Sequence, residues 1–167
     1  MTGLYRNDLE GRLAAVGELL RSAGEDVAIV VVGGAALNLG GFLARATEDV
    51  DIYARIEDDA GTARIVAALP LPASLVRAVA RVARDFDMPA DWMNAVVAPQ
   101  HLPILPEEFQ SELSWRRYGG LHVGLAGRRT LIALKLHAAA DRHPGSVHTQ
   151  DLLAMRPSDA ELASART

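Results

Sequence analysis

The segment VAIVVV at 27–32 is apolar at every position, and all but Ala28 are β-branched. A strand that alternates can leave one face in water, but a strand apolar throughout needs cover on both faces. The run is therefore expected to be the central strand of a sheet with helices on either side. It passes directly into Gly33-Gly34, after which AALNLGGFLA reads as a short helix interrupted near Gly40-Gly41. VDIYARI at 50–56 then reads as a second strand.

Upstream, Leu9, Leu13, Val16 and Leu20 recur at helical spacing and predict one apolar stripe, capped by Asn7 or Asp8 and closed by a left-handed Gly24. Downstream, two helices are expected. One opens near Asp58 and Asp59, and the other runs from about Pro72 to Phe86 with Leu75, Val79, Val82 and Phe86 on one face. Prolines at 89, 99, 103 and 106 break the stretch from Met88 to Phe109, so a surface connection is expected there, with a turn or two of helix in WMNAVV. ELSWRRY and LHVGLA flank Gly119-Gly120 as a tight hairpin. TLIALKLHAAADR is helical; after the HPGSVH loop comes QDLLAM, and Ser158-Asp159 open a last helix through Glu161 and Leu162.

These elements predict an α/β (α+β) fold, a small mixed sheet with helices packed around it and C-terminal helices. At 167 residues, half of them hydrophobic, the chain can fill one core, and no repeat or composition shift marks a boundary. A single domain over 1–167 is expected. With no cysteine, disulfides, thiolate metal sites and cysteine nucleophiles are excluded. MTGLYRNDLEGRL lacks the pattern of a secretory signal and no apolar run reaches the roughly 20 residues of a membrane span, so a cytoplasmic protein with no membrane partner is expected. A net charge of −4 means that any nucleic-acid contact would need a local basic patch.

The chemistry concentrates in VVGGAALNLGGFLARATEDVDIYA at 31–54. Residues two apart on a strand share a face, so Asp49 and Asp51 converge with their bases about 7 Å apart, while Glu48 and Val50 face away. Neighbouring carboxylates raise each other's pKa unless a cation lies between them. Magnesium suits such a pair, taking one or two carboxylates and completing its shell with water and phosphate; manganese is an alternative. Gly33-Gly34 would let backbone N–H groups approach a phosphate. The pair matches neither GxGxxG nor GxxxxGK[ST], which removes the Rossmann and P-loop readings.

Paired glycines, a helix and then Arg45-Ala46-Thr47-Glu48-Asp49-Val50-Asp51 resemble the nucleotidyltransferase superfamily of DNA polymerase β-like folds. LIALKLHAAADRHPGSVHTQDLLAMRPSDAEL at 131–162 is similar to the C-terminal half of small bacterial nucleotidyltransferases, including those related to abortive-infection toxins. The resemblance implies that Gly33 and Gly34 grip a triphosphate, Asp49 and Asp51 bind magnesium and carry catalysis, Lys135 and Arg45 meet phosphate, and Thr47 supports the loop. It implies a nucleoside triphosphate as one substrate, an RNA end, a protein side chain or a small molecule as acceptor, and an antitoxin-like partner in the toxin–antitoxin version. A third carboxylate is expected on a later strand, yet the hairpin offers only Glu112 at its start; Asp87 and Asp91 are the other candidates.

Elsewhere, His137, His143 and His148 with Asp141 and Asp151 lack the HExxH spacing of a metal site, and Asp151 is expected to cap or orient a helix. Arg116, Arg117, Arg128 and Arg129 form a basic cluster that could steer RNA or nucleotide or simply solvate the hairpin. Trp92 and Trp115 read as core or rim packing.

Overall fold

The aliphatic run forms β1 (Val27–Val32), with Ile29, Val30 and Val31 fully buried, as expected of a strand covered on both faces. In the computed structural model, which describes residues 3–98, 108–140 and 142–165, β1 lies at the middle of a mixed sheet. On one side it pairs antiparallel with β2 (Val50–Asp59), which carries β3 (Thr62–Ala67) at its outer edge. Where β3 has ended, a two-residue strand β4 (Met93–Asn94) pairs parallel with the start of β2, matching Val50 to Met93 and Asp51 to Asn94. On the other side the hairpin of β5 (Ser114–Tyr118) and β6 (Leu121–Leu125) forms around Gly119-Gly120, and β6 runs parallel to β1.

Six helices surround this sheet among the described residues. Helix α1 (Arg6–Ser22) buries Leu9, Leu13, Val16 and Leu20 and packs against α3 (Ala73–Asp85) and the β5–β6 hairpin. It starts two or three residues earlier than expected: Tyr5 is the cap, Asn7 lies inside the first turn, and Asp8 acts from the third helical position by accepting the Tyr5 N–H at 3.1 Å. Helix α3 buries Leu75, Val79 and Val82, but Phe86 stays 42% exposed, its ring lying 3.8 Å beneath the Arg12 guanidinium. The short α2 (Gly33–Leu39) follows β1 without a loop. At the C-terminal end come α4 (Arg128–Ala140), α5 (Val147–Met155) and α6 (Asp159–Ser164), with Ser146 and Ser158 capping the last two. None of the described helices is long and apolar enough to cross a membrane.

Two local expectations fail. No helix opens at Asp58-Asp59: β2 runs through both, turns at Ala60-Gly61 with φ of 52° and 87°, and returns as β3, with Asp58 Oδ1 accepting the Gly61 N–H at 2.7 Å. A two-residue turn with both central residues left-handed usually announces itself as Asn-Gly, so alanine at the first position masks it. The second is WMNAVV, where Met93-Asn94 is strand because β2 offers a free edge; Trp92 anchors it, buried, with Nε1 donating to the Val79 carbonyl at 3.2 Å.

Candidate functional site

The turn from β1 into α2 brings the glycine pair against the acidic strand. Val32 and Asp51 are register partners, and Gly33 takes φ of 69°, a left-handed conformation that glycine adopts without strain. A Cβ on Gly33 would overlap Oδ2 of Asp51, and one on Gly34 would sit 2.5 Å from Thr47 Oγ1 and 3.3 Å from Arg45 Nη2. Both glycines therefore lie where the backbone must be bare for Asp51, Thr47 and Arg45 to approach it.

Asp49 immediately precedes β2 and Asp51 lies within it, separated by fully buried Val50. Burial pushes Asp51 up to about 6, the charge of Asp49 adds to this, and Lys135 opposes it. Asp49 is also raised, chiefly by burial, with Glu48 and Asp91 adding, while a hydrogen bond from Asn94 and the charge of Lys135 act against the rise. Asp49 is thus held close enough to Asp51 to disfavour its ionisation.

The loop between α2 and β2 is fixed from three directions. The Asn38 side-chain amide donates to the Arg45 carbonyl, Thr47 exchanges backbone hydrogen bonds with Leu4 at 2.7 and 3.0 Å, and Thr47 Oγ1 donates to the Asp49 carbonyl at 3.2 Å. Thr47 is buried and lies beside Gly34. Lys135, in the middle of α4, is 6% exposed and shares a pocket of about 50 Å³ with Gly33, Asp51 and His148.

Asp151 on α5 has a role that the sequence reading missed. It does not cap the helix, since Ser146 does; its carboxylate is buried and binds both cations of the site. Arg45 Nε donates to Oδ1 at 2.5 Å, Arg45 Nη2 to Oδ2 at 2.6 Å, and Lys135 Nζ lies 2.7 Å from Oδ2. Burial alone would raise the pKa of Asp151, but the bonds from Arg45 and Lys135 outweigh it and hold the carboxyl below its ordinary value. The polar position four residues before buried Met155, on the inward side of α5, was the available signal. His148, the other unforeseen neighbour, has a buried Nδ1 without a hydrogen-bond partner among the described residues, and its pKa is lowered by burial and then by Lys135.

The acids weighed as a third carboxylate differ in where they lie. Asp87 follows α3 with φ of 51°, Glu112 pairs with Arg129 at 3.8 Å, and Asp91 is near enough for its charge to act on Asp49. The residue that β4 places in register with Asp51 is an amide, Asn94. No group of three or more histidine, aspartate or glutamate side chains able to hold a metal occurs among the described residues; Asp141 lies outside them. The arginine cluster is engaged internally: Arg116 with the Leu39 carbonyl, Arg117 with Asp26, Arg128 with Glu161, and Arg129 with Glu112 and Ser164. Trp92 belongs to the core and Trp115 lies half-exposed over Gly124.

No curated protein and no solved structure matches this chain. A family model does, over residues 11–155, a span that takes in the glycine pair, both aspartates, Lys135 and Asp151. The chain belongs to the family described as "Nucleotidyltransferase of unknown function (DUF6036)".

Proposed function

We propose that the protein is a magnesium-dependent nucleotidyltransferase that moves a nucleoside monophosphate from a nucleoside triphosphate to an acceptor hydroxyl. The observation that carries this reading is the fit of bare Gly33 against Asp51, which sets a backbone able to approach phosphate beside a convergent carboxylate pair. The donor set fits magnesium: Asp49 and Asp51 are hard oxygen ligands whose raised pKa values reflect charge that burial leaves under-compensated. When bound, the ion supplies charge neutralisation on the phosphates during displacement.

The chain's own residues position the reactants. Gly33 and Gly34 let Asp51, Thr47 and Arg45 close on the turn, whose backbone N–H groups would face the triphosphate, and Arg45 and Lys135, both held on Asp151, would meet its charge. Asp49 and Asp51 would hold the magnesium ion that faces the α-phosphate; the acceptor oxygen bonds to phosphorus and gives up its proton to solvent water as the bond to the bridging oxygen breaks and pyrophosphate leaves.

Asn94 supports a second reading. An amide in register with Asp51, where a third acid would serve the incoming hydroxyl, suits a catalytically inactive relative that binds nucleotide or a partner, including as half of a toxin–antitoxin pair. Titration of the protein with each of the four ribonucleoside triphosphates by calorimetry, with and without magnesium, separates the readings when followed by a pyrophosphate-release assay. Magnesium-dependent binding lost in Asp49→Ala/Asp51→Ala, with pyrophosphate release, supports the transferase. Binding without release over a panel of RNA, protein and small-molecule acceptors supports the inactive relative, and no binding overturns the nucleotide site.

A further inference from the structure

Both cations assigned to the triphosphate are held from one side by the same buried acid. A guanidinium has five N–H donors and an ammonium three. Arg45 places Nε and Nη2 on Asp151 and Nη1 on the Ala46 carbonyl at 2.7 Å, while Lys135 places Nζ on Asp151. Each cation therefore keeps N–H groups unassigned among the described residues. Their placement is informative: Arg45 Nη2 overhangs Gly34, and Lys135 enters the pocket that Gly33 and Asp51 line.

We infer that Asp151 is a positioning residue of the nucleotide site, holding Arg45 and Lys135 so that their remaining donors flank a triphosphate lying over Gly33-Gly34. This rests on the function proposed above and assigns Asp151 no contact with the nucleotide. Asp151 lies on α5, Lys135 on α4 and Arg45 in the loop before β2, so one carboxylate on a third segment sets the spacing between cations delivered by two others. A carboxylate that merely balanced buried charge would act differently on a polyanion. By Coulomb's law, removing a negative charge beside the phosphates tightens binding, whereas removing the group that orients the donors weakens it. The sign of the effect separates the two roles.

The test is calorimetric binding of inorganic tripolyphosphate, and of nucleoside triphosphates with magnesium, to wild type, Asp151→Asn and Asp151→Glu, with the unfolding midpoint of each variant measured in parallel. The expected result is a loss of affinity of about tenfold to a hundredfold for both ligands in Asp151→Asn, the range typical of groups that orient binding residues. Asp151→Glu keeps the counter-charge but displaces it by one methylene, so it should stay folded and still bind more weakly. If Asp151→Asn does not fold, Asp151→Glu decides. Unchanged or tighter binding by either folded variant overturns the inference and leaves Asp151 as a counter-ion. A wild type that binds neither tripolyphosphate nor any nucleotide overturns the nucleotide site itself, and this inference with it.

Discussion

Arg45 and Asp151 form a two-bond fork, Nε to Oδ1 at 2.5 Å and Nη2 to Oδ2 at 2.6 Å, across 106 positions of sequence. With Lys135 on the same carboxylate, the fork ties the loop before β2 to both α4 and α5. The C-terminal helices thereby become part of the site rather than an appendage to the sheet.

Removing Asp151 should therefore cost global stability. Asp151→Ala leaves a buried ammonium and a half-buried guanidinium without their counter-ion, a loss of about 3–5 kcal/mol, measurable by urea denaturation. The folded pKa of Asp151 lies below its unfolded value, so its contribution is complete above about pH 4 and fades as the pH falls through the lower folded value. Wild type should lose more stability on acidification than Asp151→Ala does.

Asp51 has the opposite sign. Its folded pKa of about 6 exceeds the unfolded value, so the folded metal-free protein binds more protons between these limits and loses stability as the pH rises from about 4 to about 6. Asp51→Asn abolishes that slope. In the presence of a chelator at pH 7.5 the variant should be more stable than wild type by about 1–2 kcal/mol, less than the full shift because the carboxylate is partly solvated. Magnesium should raise the unfolding midpoint of wild type and leave that of Asp51→Asn unmoved, a comparison made by thermal unfolding with and without the ion.

The legible parts of this fold were those written in local sequence. The buried run of β1, the stripe of α1 and the Gly119-Gly120 hairpin each declare themselves within a few residues, and the glycine pair and Asp49-Val50-Asp51 are joined only by α2 and the loop that follows it. Nothing local predicts that Asp151 will reach Arg45, or that β4 will set Asn94 beside Asp51, because both depend on how distant segments pack. The β2–β3 hairpin was missed for a different reason: Ala60 adopts a left-handed conformation that its side chain does not advertise.

The glycine turn should tolerate no side chain. Gly33→Ala must accept a left-handed backbone and also displace Asp51, since the added methyl overlaps its carboxylate. A destabilisation of about 1–3 kcal/mol is expected, together with loss of magnesium-dependent nucleotide binding at temperatures where the variant remains folded. Calorimetry on the folded variant measures the second effect separately from the first, and wild-type affinity would remove Gly33 from the site.

Helix α1 offers an internal comparison, because it carries two glycines in opposite settings. Nothing lies within 4 Å of a Cβ added to Gly11, whereas one added to Gly17 would overlap the carbonyl oxygen of Tyr118 on β5. Alanine at position 11 gains helix propensity at no steric cost, so Gly11→Ala should stabilise by about 0.5–1 kcal/mol. The same substitution at position 17 forces α1 off the sheet and strains the Gly120 N–H bond to the Gly17 carbonyl at 2.9 Å, costing about 1–3 kcal/mol. Denaturant midpoints of the two variants moving in opposite directions would verify the docking of α1 on the hairpin. Equal shifts would mean that α1 meets β5 less closely than this geometry requires.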